Sequence, residues 1–252
     1  KNSDQLLKKR NRLLDKLQRK GIIDSFTCEL AKEEPLPGSP HRIPGITPHL
    51  LQRAMKEGHT GQRIHTTINL QLQQNVNRIV KHYHSVLSQN EIHNMAVLVL
   101  DVKSGQVMAY TGNTDCPEEG SGSSVDVITA PRSTGSILKP FLYTFMLEDG
   151  AILPNALVPD IPTRIAGYAP KNFDQTYDGA VPASEALARS LNIPAVRMLR
   201  EYGTEQFYHR LGKLNLRHIN RSPDHYGLSI ILGGAEASLW DLSTAYANMA
   251  RT

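Results

Sequence analysis

The chain has 252 residues, enough for one large domain, or one domain with a smaller companion, around a substantial core. Hydrophobic residues at 40% and charged residues at 21% are ordinary for a globular protein, and two cysteines exclude a disulfide framework. The net charge of +4 is concentrated near the N-terminus, and no aromatic residues interleave with these bases, which excludes a stacking platform for single-stranded nucleic acid.

Those bases, Lys8, Lys9, Arg10, Arg12, Lys16, Arg19 and Lys20, read first as a solvated helix face and second as a surface for an acidic partner or membrane. Leu6, Leu7, Leu13, Leu14 and Leu17 recur at helical spacing opposite them, predicting an amphipathic helix that Gly21 ends, with a second short helix over 25–32. The prolines and glycines between Glu34 and Pro48 break regular structure and form the best linker candidate. Cys28 and Cys116 have neither CxxC nor Cys/His spacing, so no zinc site is expected; they read as free thiols, with pairing as the alternative.

Residues 63–68 alternate with β-branched side chains and predict a strand. Leu72, Val76, Ile79, Val80, Tyr83 and Leu87 then repeat at helical period. His82 and His84, two residues apart, do not share a helix face and predict no metal pair. The apolar run 95–102 reads as a strand covered on both faces, and 103–106 turns it into a returning strand over 107–111. The polar, Gly- and Ser-rich stretch 112–124 predicts a mobile loop over the approach to Ser136.

Around Ser136 the pattern changes. Pro140 lacks the N–H that an interior helix position donates, so a helix is expected to start a few residues upstream of it, with Phe141, Leu142, Phe145 and Met146 turned to a core. Ser136 and Lys139, three residues apart, then share one face at the positive end of the helix dipole. A serine activated by a neighbouring lysine is one form of the nucleophile-plus-base pair. Ser-x-x-Lys recurs by chance, however, and a serine cap followed by a first-turn lysine is the plain structural alternative. Downstream, prolines at 154, 159, 162 and 170 predict a long irregular excursion in which Tyr168, Asn172, Phe173 and Tyr177 are candidate functional side chains. A helix over 184–190 is broken at Ser190-Leu191-Asn192-Ile193-Pro194, and further helices are expected over 195–202, 204–211 and 238–249. Helices against a hairpin-built sheet make an α+β fold.

Ser190 and Asn192 can both point into one cleft from a turning segment, although an Asn at a helix end is by itself a cap. Ser136-Ile137-Leu138-Lys139 followed by Ser190-Leu191-Asn192 has the order and spacing of the penicillin-recognising serine transferases. The flanking words agree: Gly135 before Ser136, Pro140-Phe141 after Lys139, Ala186-Leu187 before Ser190, Ile193-Pro194-Ala195-Val196 after Asn192, and Ile231-Leu232-Gly233-Gly234 ahead of Leu242-Ser243-Thr244-Ala245-Tyr246. On these residues the chain resembles the class A (bifunctional) penicillin-binding proteins, most of all the 1C type. The helix over 6–17, with Gly21-Ile22-Ile23 and 31–36, resembles the tail of that family's glycosyltransferase domain and its linker. Thr66-Thr67-Ile68-Asn69 with Leu72-Gln73 resembles the entry to its transpeptidase domain.

The resemblance implies an α+β penicillin-binding transpeptidase (serine β-lactamase-like) fold over 63–252, after a glycosyltransferase end and linker over 1–62. It implies Ser136 as nucleophile and Lys139 as base in a peptidoglycan D,D-transpeptidase acting at D-Ala-D-Ala. Ser190 would relay a proton, Asn192 would hold Lys139 and the substrate amide, and the Ser136 N–H would be half of an oxyanion hole, typically worth ~3 kcal/mol per donor. Gly135, Tyr168, Asn172 and Gly233 are assigned to substrate binding. No cofactor, metal or nucleic acid is implied; the partners are stem peptides, the lipid-linked precursor, β-lactam antibiotics and other wall-synthesis proteins. The family's Lys-Thr/Ser-Gly motif is absent from these residues and is expected beyond Thr252. Together with the abrupt start and end, this makes the sequence read as a piece of a longer protein, anchored by a segment outside it on the periplasmic side of the bacterial inner membrane. A β-lactamase or penicillin sensor shares the serine chemistry, but the glycosyltransferase-like tail argues against both. A non-catalytic scaffold in the wall-synthesis machinery is the remaining alternative.

Overall fold

A computed structural model describes residues 3–36, 45–115, 122–165 and 167–251. Its contacts group the chain into two units that divide between Gly45 and Ile46. In the first, α1 (Ser3–Arg19) and α2 (Ser25–Glu33) are joined by a turn that closes α1 through Gly21, at φ +67°. The Ile22 N–H bonds the Leu17 carbonyl at 3.0 Å and the Gly21 N–H bonds Gln18 at 2.9 Å, the paired bonds of a left-handed helix cap. Asp24 caps α2 through the Thr27 N–H at 2.6 Å. Arg10 donates to the carbonyls of Lys32 and Glu34, and Lys32 pairs with Asp15 at 2.5 Å. Cys28 is a buried free thiol, and Cys116 lies outside the described residues.

The second unit begins with α3 (Pro48–Lys56), a helix the sequence reading had dissolved into the linker. Pro48 stands in the first turn, where its missing N–H costs nothing. Arg53 stacks over the Trp240 ring at 4.2 Å. Residues 63–68 form no strand: they run without ladder partners until the Asn69 N–H reaches the Met108 carbonyl at 2.9 Å, so β-branched composition there lacks an edge to pair with. Asn69 caps α4 (Leu70–Leu87), which buries Val76 and Val80 but leaves Ile79 and Tyr83 exposed.

Helix α4 packs on the hairpin of β1 (Val97–Leu100) and β2 (Val107–Thr111), antiparallel with Val97 opposite Thr111. Residues of β1 are half-buried, not fully covered as the apolar run suggested; among the described residues its sheet has two strands, so its outer edge is unpaired. Gln73, fully buried, ties α4 to β2 by accepting the Tyr110 N–H at 2.6 Å and donating to Thr111 Oγ1 at 2.9 Å. In the expected mobile loop, Asn113 and Thr114 are instead buried and hydrogen-bonded; residues 116–121 lie outside the described residues.

Next come β3 (Arg132–Ser133), α5 (Lys139–Glu148), β4 (Leu157–Asp160), β5 (Gly179–Pro182), α6 (Ala183–Ala188), α7 (Asn192–Tyr202), α8 (Thr204–Gly212), α9 (Pro223–Tyr226), β6 (Glu236–Ala237) and α10 (Leu239–Arg251). The expected irregular excursion thus contains an antiparallel pair, β4 with β5, with Val158 opposite Val181. Three two-stranded antiparallel sheets among the described residues, set against these helices, make the fold α+β. Helix α5 is its centre: Phe141, Leu142, Phe145 and Met146 are buried with Val196 and Leu199 of α7, Phe207 and Leu211 of α8, and Leu242 of α10. Burying each such side chain contributes about 1.5–3 kcal/mol.

The turn leading into α5 is pinned from the far end of the chain. Strand β3 pairs with β6, the Thr134 N–H bonds the Ala235 carbonyl at 3.0 Å, and Ser133 Oγ donates to the Gly233 carbonyl at 2.8 Å. Gly233, at φ +100°, lies so close that a Cβ there would come within 2.6 Å of Ser133 Oγ and 2.9 Å of the Gly135 nitrogen. Gly233→Ala is therefore expected to destabilise the protein by about 1–3 kcal/mol, read as a lowered midpoint of thermal unfolding.

Candidate active site

The helix starts just upstream of Pro140 as expected, at Lys139, and Ser136 stands three residues before it. Ser136 lies in a tight turn in which the Ile137 N–H bonds Thr134 at 3.0 Å and the Lys139 N–H bonds the Ser136 carbonyl at 3.1 Å. Gly135 permits this turn with φ +51°. Lys139 is the first residue of α5 and Pro140 follows inside the first turn, where proline is tolerated. Ser136 is exposed, while Lys139, one turn on, is buried. Tyr246 of α10 clamps the turn by donating its hydroxyl to the Ile137 carbonyl at 2.7 Å.

Lys139 reaches the second motif. Its Nζ donates to the Ser190 carbonyl at 2.7 Å, to Asn192 Oδ1 at 2.8 Å and to Ser190 Oγ at 3.3 Å. Three acceptors match the three N–H donors of an ammonium. Burial pushes the Lys139 pKa down from 10.5 to about 8. No hydrogen bond among the described residues engages Ser136 Oγ or the Ser136 N–H, so Lys139 is not bonded to the serine it was expected to activate.

The Ser190–Asn192 segment owes its shape to a helix end. The Leu191 N–H bonds Ala186 and the Ser190 N–H bonds Leu187, both at 2.9 Å, which closes α6 with Ser190 left-handed at φ +54°. Glycine or asparagine is the usual residue there. Leu191 turns into the core, and Asn192 opens α7. The sequence had joined Ser190 to the helix before it and begun the next helix at Ala195; α7 takes up Asn192 and Ile193 because Pro194 is still within its first turn.

Four residues assigned to substrate binding divide. Gly135 and Gly233 build the turn that presents Ser136. Tyr168 is partly exposed beside the backbone bridge to Ile165. Asn172 is buried, 3% exposed, and all of its carboxamide is spent within the protein, so it cannot face a substrate. The sequence reading missed Ser133 and Tyr246, which hold the Ser136 turn, and Asp160, which holds Asn172. Tyr246 stood in a quoted motif without a role; Asp160 carried no signal beyond being an acid in an apolar segment. No group of three or more metal-ligating side chains occurs among the described residues.

The sequence pattern described as "Penicillin binding protein transpeptidase domain" matches residues 95–250. Penicillin-binding protein 1C of Escherichia coli is 34% identical over 242 residues, which is 96% of this chain and 31% of that protein. The chain thus spans about a third of this relative's length. Among solved structures, penicillin-binding protein 1A from Haemophilus influenzae aligns with a TM-score of 0.67 over 96% of this chain and 51% of that one, at 17% identity. PonA1 from Mycobacterium tuberculosis, in complex with penicillin V, aligns with a TM-score of 0.60 over 99% of this chain and 59% of that one, at 20% identity. By motif, by sequence and by fold, the chain belongs to the penicillin-binding protein transpeptidase family, and among curated relatives it resembles the 1C type.

Proposed function

We propose that this chain carries the acyl-serine centre of a peptidoglycan D,D-transpeptidase, with Ser136 as nucleophile and Lys139 as base. The observation that carries the reading is the buried Lys139 amine, three residues after Ser136, its pKa lowered to about 8 and held on the Ser190–Asn192 segment. An alcohol at its ordinary pKa is a poor nucleophile and needs a base with a free lone pair. With a pKa of about 8, about a tenth of Lys139 is neutral at pH 7.

In the proposed reaction the neutral amine receives the proton of Ser136 Oγ as that oxygen bonds to the carbonyl carbon of the D-Ala-D-Ala linkage. The unspent Ser136 N–H supports the oxyanion. The C–N bond then breaks, the leaving D-Ala nitrogen takes a proton relayed through Ser190 Oγ, and an acyl ester remains on Ser136. An amine of a neighbouring stem peptide attacks that ester, the C–O bond breaks, and Oγ recovers a proton. A β-lactam enters by the same attack, but its amine stays tethered to the acyl group after the ring opens. PonA1, a relative in fold, was solved with penicillin V, which is in keeping with this. The same proposal extends to the parent protein: a glycosyltransferase domain ahead of the linker, an anchoring segment outside this chain, and a place on the periplasmic face of the membrane.

The tests use the full-length protein and a fluorescent penicillin. Wild type is expected to label at Ser136, located by mass spectrometry, and Ser136→Ala to remain unlabelled; labelling of the alanine variant would end the assignment. Because the base acts when neutral, the acylation rate should rise about tenfold per pH unit below the Lys139 pKa of about 8 and level off above it. Ser190→Gly keeps the backbone carbonyl that holds Lys139 and suits the left-handed backbone. It should leave stability unchanged or raise it by up to about 1 kcal/mol while slowing acylation, separating the hydroxyl's role from the turn's.

A further inference from the structure

Asn172 and Asp160 lie outside both motifs, yet hydrogen bonds link them through Asn192 to Lys139. Both are buried, Asp160 at 1% exposure. Asn172 Nδ2 donates to Asp160 Oδ1 at 2.8 Å and to the Thr176 carbonyl at 3.0 Å. Its Oδ1 accepts the N–H of Asn192 at 3.0 Å and of Ile193 at 3.2 Å. These are the first two amides of α7, which have no partner within the helix. Asn192 in turn donates Nδ2 to the Lys171 carbonyl at 2.9 Å and accepts from Lys139 Nζ at 2.8 Å.

The direction of this chain is set at one end by groups that only accept, Asp160 and the Thr176 carbonyl, and at the other by two helix amides that only donate. An asparagine amide can flip, exchanging donor and acceptor ends, but Asp160 accepts at both oxygens: Asn172 Nδ2 at Oδ1 and the Asp178 N–H at Oδ2, 3.0 Å away. A group that only accepts forces the donating end of Asn172 toward itself. The accepting end is thereby turned toward α7, where two amides need it. Reversal would set Asn172 Nδ2 against the N–H groups of Asn192 and Ile193 and leave buried donors unpaired. Asp160 itself is placed by the β4–β5 ladder, opposite Gly179.

We infer that Asp160 and Asn172 are positioning residues for the acylation chemistry: together they fix the start of α7, and with it the Asn192 carbonyl oxygen that holds the Lys139 amine. Neither touches the Ser136 turn among the hydrogen bonds of the described residues; they act through Asn192. The inference rests on the proposed role of Lys139 and deepens it. Loosening this clasp lets the first turn of α7 fray and water reach the amine, which relieves the burial that keeps Lys139 partly neutral.

The test measures acylation by a fluorescent penicillin against pH in the full-length protein, comparing wild type with Asn172→Ala and with Asp160→Asn. The isosteric Asp160→Asn change keeps the packing but removes the charge and leaves one oxygen for two donors, so Asn172 Nδ2 or the Asp178 N–H must face an NH2 group; it serves even where the alanine variant unfolds. Circular dichroism checks folding. Expected is at least a tenfold slower acylation at pH 7, with the pH midpoint moved upward in the folded variant. A folded Asp160→Asn protein with wild-type rate and midpoint, or one slowed equally at every pH with the midpoint unmoved, would overturn the inference. Failure of the wild type itself to label at Ser136 would instead overturn the proposed function, so the two failures are distinguishable.

Discussion

An amine withdrawn from water is the constraint around which this protein is built. An ammonium buried without partners costs several kcal/mol. Lys139 is tolerated because three oxygens from Ser190 and Asn192 converge on it. Those oxygens converge only if the chain turns sharply between α6 and α7, which puts Ser190 in a left-handed conformation that a serine adopts at a cost. The strain and the burial support one another: the bend exists to meet the lysine, and the lysine is buried because the bend meets it.

Division of labour follows from depth. Ser136 and Ser190 present hydroxyls at the surface, whereas Lys139 lies beneath them. A short turn, rather than a helix, delivers Ser136, so its amide and hydroxyl are not consumed by the protein's own hydrogen bonds. The turn is nonetheless held firmly. Gly233 approaches it more closely than any side chain would allow, β6 pairs with β3 just ahead of it, and Tyr246 grips the Ile137 carbonyl. An exposed reactive group on a rigid support pays little reorganisation when charge develops.

The first unit follows different physics. Helix α1 has no fully buried residues; beyond the packing that encloses Cys28 of α2, Arg10 and the Lys32–Asp15 pair tie the two helices together. Exposed ion pairs of this sort contribute at most about 1 kcal/mol. The second unit is held by apolar packing around α5, where Leu138 and Leu142 are fully enclosed.

Much of this was legible in the residues. Helices α1, α2, α4, α5, α7, α8 and α10 and the β1–β2 hairpin are set by periodicity, caps and turns, all of which act over three or four positions, and the Ser136, Lys139, Ser190 and Asn192 candidates came from spacing and resemblance. What escaped depended on partners far along the chain. Residues 63–68 have strand composition but no edge to pair with, while β4 and β5 have prolines and yet find each other. Pro48 read as a break and proved to be a first turn. Asn172 read as a substrate ligand, but Asp160, twelve residues before it, and Asn192, twenty after it, claim its carboxamide. Even Lys139, a candidate for its spacing from Ser136, directs its amine to residues more than fifty positions away. The sequence by itself determined which segments could coil and which side chains were candidates for the chemistry, because those depend on near neighbours and short motifs; only the tertiary structure decided which buried polar groups face one another, because each must find its partner wherever the packed chain brings one.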